Sequence, residues 1–154
     1  MNLITETAKV VYGEAGGVKE DEERLWVAHV VKNRYMLQKQ GKYHFGSIRK
    51  DFKGYGRWKD NWKNGEIRKN SERKAWEKSL EAARKAWTSK HDPTHGAVFF
   101  VSREFLKKKG IKDPSKADLV NKNINLSVYP LEYVKPPKGR NFAHAFYRIK
   151  GAKP

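Results

Sequence analysis

Residues 25–37, LWVAHVVKNRYML, constrain this chain more than any other stretch. Trp26, Val27, Ala28, Val30, Val31 and Tyr35 spread apolar side chains around most of a helical circumference. A helix wet on one side would not carry that pattern, so the segment is predicted to be a central helix with other elements packed around it. The acidic run EDEER just before it suits the first turn of such a helix, where the dipole favours negative charge.

A second helical row precedes it. Ile4, Ala8, Val11 and Ala15 recur at i, i+4, i+7 and i+11, and Leu3, Thr7, Val10 and Glu14 form the neighbouring row. Glu14 therefore sits beside a buried stripe in the last turn, with Gly16 and Gly17 as the expected stop. Burial and the negative helix end both disfavour its charged form, which is the condition for proton donation near neutral pH.

The next stretch, 39–70, changes character. Glycines punctuate it, basic residues crowd it, and Tyr43, Phe45, Phe52, Tyr55, Trp58 and Trp62 follow no clear period. It is predicted to be a long irregular segment that binds something through part of its rings, about half of them being core. Trp76, Leu80, Ala83 and Trp87 then mark a third helix over about 71–89. HDPTHG reads as a turn, AVFFV as a short strand, and Ser102 as the cap of a short helix, REFLKKKG. LEYV and NFAHAFYRI, either side of KPPKG, read as two strands of a hairpin. The predicted class is α+β: one domain over 1–154, a helical body with a small antiparallel sheet.

Charge narrows the partners. With 34 Lys plus Arg against 17 Asp plus Glu, the net charge of +17 points to an anionic target: nucleic acid, a membrane surface or an acidic wall polymer. The chain has no Cys, which excludes disulfides, thiolate metal sites and Cys nucleophiles. It shows no signal-like leader and no membrane-length apolar run. His91 and His95 are four apart, but Pro93 between them makes a turn and no HExxH motif is present, so no metal site and no cofactor are expected. There is no GxSxG elbow and no phosphate loop. His29 is read as a satisfied core histidine. Asp92 is read as the cap of its own turn.

Taken in order, YGEA (Tyr12–Ala15), VKNR (Val31–Arg34), FGSI (Phe45–Ile48), DPTHGAVFF (Asp92–Phe100) and HAFY (His144–Tyr147) resemble the motif series of the spore-cortex-lytic cell-wall hydrolase family, SleB/CwlJ type. The resemblance covers about residues 8–148. The chain departs from that family at Gly16, where an Arg is usual, and at Val101-Ser102, where Asn-Pro is usual. The resemblance implies a lysozyme- or lytic-transglycosylase-like fold and cleavage of peptidoglycan between N-acetylmuramic acid and N-acetylglucosamine. Glu14 would be the single general acid and base, closing a 1,6-anhydro ring without water; a hydrolytic route would need a second carboxylate, with Asp51, Asp60, Glu66 and Asp92 as candidates.

Tyr12, His144 and Tyr147 would contact substrate or position Glu14. Tyr55, Trp58, Trp62 and Phe100 would wall the glycan groove, and Asn33 and Arg34 would support the site from behind. The resemblance further implies a monomer adsorbing to the anionic wall. Without a leader, it would act as a phage-type endolysin freed by a holin or by lysis, as a virion-associated enzyme, or as the mature domain of an exported precursor. A nucleic-acid-binding module is the competing class, and it leaves the ordered motifs unexplained. A catalytically dead wall-binding relative is the third.

Overall fold

A computed structural model describes the backbone of residues 2–63, 66–67 and 70–154, and the side chains of 2–59 and 70–154. It is mixed α+β, about half helical, with a three-stranded antiparallel sheet. Helix α1 (Leu3–Ala15) starts at Asn2, whose side chain accepts the Thr5 N–H at 3.2 Å. Helix α2 (Asp21–Lys39) carries the acidic first turn that the sequence suggested. As expected it is central: Trp26, Val27, Ala28, Val30 and Val31 are all buried. Helix α4 (Asn70–Thr88) packs against α1 and α2 through Ala82, Ala83 and Ala86, small residues that let the helices approach closely.

The irregular middle stretch holds a one-turn helix α3 (Ile48–Asp51), a 3₁₀ segment (Lys53–Asn61) and a two-stranded ribbon, β1 (Trp62–Lys63) with β2 (Glu66–Ile67). Ser102 caps α5 (Arg103–Lys108) as expected, its hydroxyl accepting the Phe105 N–H at 3.0 Å. The sheet runs β3 (Phe99–Ser102), β5 (His144–Ile149), β4 (Leu131–Val134), with β5 in the middle and the expected hairpin formed by β4 and β5. Strand alternation separates two cores. Phe146 and Val134 pack into the helical body with Trp26 and Phe142, whereas Ala145 and Tyr147 face Leu106 and Leu119 on the other side.

Three local expectations need correction. Gly16 ends α1 with right-handed dihedrals (φ −60°, ψ −33°), so the stop does not use a left-handed glycine. His29 is buried but not satisfied: its Nδ1 has no hydrogen-bond partner among the described residues, and Asp92 Oδ1 lies 3.5 Å away. Burial holds its pKa below the ordinary imidazole value, which disfavours charging it in that position. Tyr147 and Tyr55, expected at the site, are core residues for reasons given below.

Asp92 does cap its turn. Oδ1 accepts the Thr94 N–H (2.8 Å) and hydroxyl (2.6 Å), and Oδ2 accepts from Gly96 N and Asn33 Nδ2, both at 2.9 Å. Burial raises its pKa, but the Thr94 and Asn33 hydrogen bonds outweigh that, and the net shift is downward. A carboxylate depressed on folding contributes stability above its unfolded value of about 3.9, and loses it as pH falls through the folded value. The urea midpoint of the wild type is therefore expected to fall more steeply than that of Asp92→Asn as the solution is acidified below about pH 5. Parallel slopes in the two proteins would contradict this.

Candidate active site

Glu14 is half-buried at the end of α1 and lines a cleft of about 680 Å³. That volume is in the range of pockets that enclose small ligands. One wall is the edge strand β3, all four of whose residues reach the cleft; Phe45, Phe52, Phe105 and Tyr129 extend the aromatic lining. Phe100 stacks on Phe52 with centroids 6.0 Å apart and planes 14° from parallel.

The carboxylate is held by a backbone group from far along the chain. Gly54 N–H donates to Glu14 Oε1 at 2.6 Å, and Arg57 reaches back to the Gly13 carbonyl at 2.9 Å. The second oxygen, Oε2, takes no hydrogen bond from the described residues. This grip depends on a glycine pair. A Cβ on Gly13 would collide with the Gly54 carbonyl and come within 2.8 Å of Gly54 Cα. A Cβ on Gly54 would lie 2.7 Å from both Glu14 Oε1 and the Gly13 carbonyl carbon. Only two residues without side chains allow this segment to sit against α1 and aim its amide at the acid.

Arg34 lies deeper in the same cleft. Its guanidinium donates to the Val98 carbonyl at 2.5 Å, faces Asp51 at 3.6 Å, and packs over Phe99 (4.5 Å) and Phe52 (4.7 Å). Burial pushes its pKa down to about 10, against the opposing charges of Asp51 and Glu14, so it stays a cation at neutral pH. Asp51 also lines the cleft. The site thus places two carboxylates around one half-buried cation.

The other expected site residues are dispersed. Phe100 lines the cleft. His144 stands behind it, edge-on to Phe100 at 5.4 Å, with Nδ1 2.6 Å from the buried Glu23 carboxylate, which also accepts the Ala143 and His144 amides. Tyr12, Tyr55 and Tyr147 are turned elsewhere, and their expected substrate contacts are not matched by their placement. Tyr12 donates to Glu72 and meets Trp76 edge-on, against α4. Tyr55 is buried and donates to Glu6, itself paired with Arg49 at 2.7 Å. Tyr147 is buried, with its hydroxyl on the Pro114 carbonyl at 2.7 Å. Trp58 is outside the cleft lining and lies under Lys9 Nζ, 4.2 Å from the ring centroid. The side chains of Trp62, Asp60 and Glu66 lie outside the described residues.

Asn33 supports the Asp92 turn and not the Glu14 cleft. A cavity of about 770 Å³ lies there, off another face of α2, lined by His29, His91, Asp92 and His95 among others. It is larger than the Glu14 cleft but has no Phe, Tyr or Trp in its lining, and both of its acids are engaged: Asp92 in its own turn and Glu132 with Arg148 at 3.0 Å. Among the described residues no group of three or more His, Asp or Glu is placed to hold a metal ion. No described helix is long and apolar enough to cross a membrane.

Sequence reasoning missed Gly13 and Gly54. Gly13 stands inside the YGEA motif, but only a contact between segments about 40 residues apart explains it. Comparison with known protein families, curated proteins and solved structures gave no match to this chain.

Proposed function

We propose that this chain is a peptidoglycan-cleaving glycosidase acting between N-acetylmuramic acid and N-acetylglucosamine, with Glu14 as its single general acid and base. The observation that carries the reading is one acid, gripped on Oε1 by the Gly54 amide, its Oε2 taking no hydrogen bond from the described residues, in a cleft lined by aromatic rings. Flat rings suit the apolar faces of pyranoses, and a fixed carboxylate with one open oxygen suits proton transfer. The ordered motifs that resemble those of the SleB/CwlJ-type family support the same reading.

In the proposed reaction, protonated Glu14 donates to the glycosidic oxygen while positive charge builds at C1 of the muramic ring. The glucosamine leaves as its free 4-hydroxyl. Glu14, now a carboxylate stabilised by the Gly54 N–H, accepts the proton of the muramic 6-hydroxyl, and O6 bonds to C1. The product is a 1,6-anhydro ring and no water is consumed.

Asp51 favours a hydrolytic version as the second reading, because it shares the cleft with Glu14. Its pairing with Arg34 places it as a fixed anion able to orient a water. Asp92, by contrast, is spent on its turn. Mass spectrometry of fragments released from purified peptidoglycan separates the two. Anhydro-muramic ends are expected; reducing ends, heavier by one water, would replace the transglycosylase step by hydrolysis. Loss of cleavage in Asp51→Asn would then identify the second carboxylate.

A further inference from the structure

Two cations flank Glu14 without being used by the reaction just described. Lys53 immediately precedes Gly54, whose amide grips the acid, and Arg57 is anchored on the carbonyl of Gly13, the residue before it. Both are exposed and both line the cleft, as does the exposed His44. The Lys53 ammonium makes no ion pair or hydrogen bond among the described residues, and Arg57 uses only Nη1. The cleft's other cation, Arg34, is already committed to Asp51 and the Val98 carbonyl. The reactive end of the cleft therefore carries two uncompensated positive groups beside an acid that must itself be available to the sugar.

A muramic residue bears a lactyl group that ends in a carboxylate, or in a peptide stem that itself ends in one. Closing that group into a lactam, or capping it as an amide, removes the charge and leaves the glycosidic bond intact. Resting on the function proposed above, we infer that Lys53 and Arg57 select glycan strands whose muramic substituents carry carboxylates over strands in which that group is neutral. Exposed cations lining the cleft attract an anionic substituent next to the cleaved bond, and the contact weakens with salt.

The experiment compares soluble glycan chains with free lactyl or stem carboxylates with the same chains after amidation by methylamine. Wild type is expected to show kcat/KM about three- to tenfold higher on the carboxylated chains, as partly exposed charged contacts provide. Lys53→Gln and Arg57→Gln should each reduce that preference, acting through KM. Lys138→Gln, an exposed charge outside the cleft, should keep it, which separates local recognition from general attraction to a basic protein. Equal cleavage of both chains by the wild type, with Glu14→Gln inactive, overturns the selectivity and leaves the proposed function standing. A preference lost equally in Lys138→Gln also overturns it. Cleavage of neither chain removes the function and this inference together.

Discussion

Gly13→Ala is expected to destabilise the protein and abolish its activity, although the substitution improves helix propensity. An exposed helical glycine replaced by alanine gains about 0.5–1 kcal/mol. At Gly13 the added methyl meets the Gly54 backbone, which cannot rotate away as a side chain could. Overpacking of this kind costs about 1–3 kcal/mol, and more where backbone must move. The clash term wins. The segment 53–61 is then pushed off α1, breaking the Gly54–Glu14 and Arg57–Gly13 hydrogen bonds and loosening the neighbouring Tyr55, which is buried against the helical body.

Gly54→Ala is a gentler version, because its methyl meets the movable Glu14 carboxylate as well as the Gly13 backbone. It should lose activity out of proportion to stability. Urea unfolding and peptidoglycan solubilisation, measured on both variants, test the pair. A Gly13→Ala protein as stable as the wild type, or more so, would mean that the glycine contact is not what seats this segment.

This contact also marks the limit of what could be read from the sequence. The helices were legible because period-3.6 stripes are local, and the β4–β5 hairpin because its strands flank a Pro-Gly turn. Ser102 and Asp92 were legible as caps because short polar side chains serve the backbone next to them. The Glu14 cleft was not. It is built by residues from α1, α2, the 44–57 stretch, β3, α5 and the 119–129 segment, and no local pattern encodes that convergence.

Two misplaced tyrosines could have been avoided by the same periodicities. Tyr12 is two positions from Glu14, about 200° round the helix, so the two cannot share a face. Tyr147 is an odd number of positions from His144 on β5, so the strand sends them to opposite sides. Motif membership drew them together; geometry places them in different cores. Trp58 had no such test, since its rings-and-glycines stretch shows no sequence period and nothing local marks residues 53–61 as a 3₁₀ segment.

Glu14→Gln carries the largest effect on activity. The amide keeps an oxygen where Oε1 accepts the Gly54 N–H, so the fold is expected to hold to within about 1 kcal/mol. It cannot donate and retrieve a proton, and loss of a general acid–base group lowers turnover by about 10²–10⁴-fold, toward the upper end where one residue serves both steps. The most direct measurement is solubilisation of purified peptidoglycan by wild type and Glu14→Gln at equal concentration, with unfolding curves of both in hand. Clearing by the wild type, together with a Glu14→Gln protein that is folded but at least about a hundredfold slower, is the predicted result. A folded Glu14→Gln that clears the wall as fast as the wild type would contradict it, as would a wild type that releases no fragments while binding DNA with a steep salt dependence.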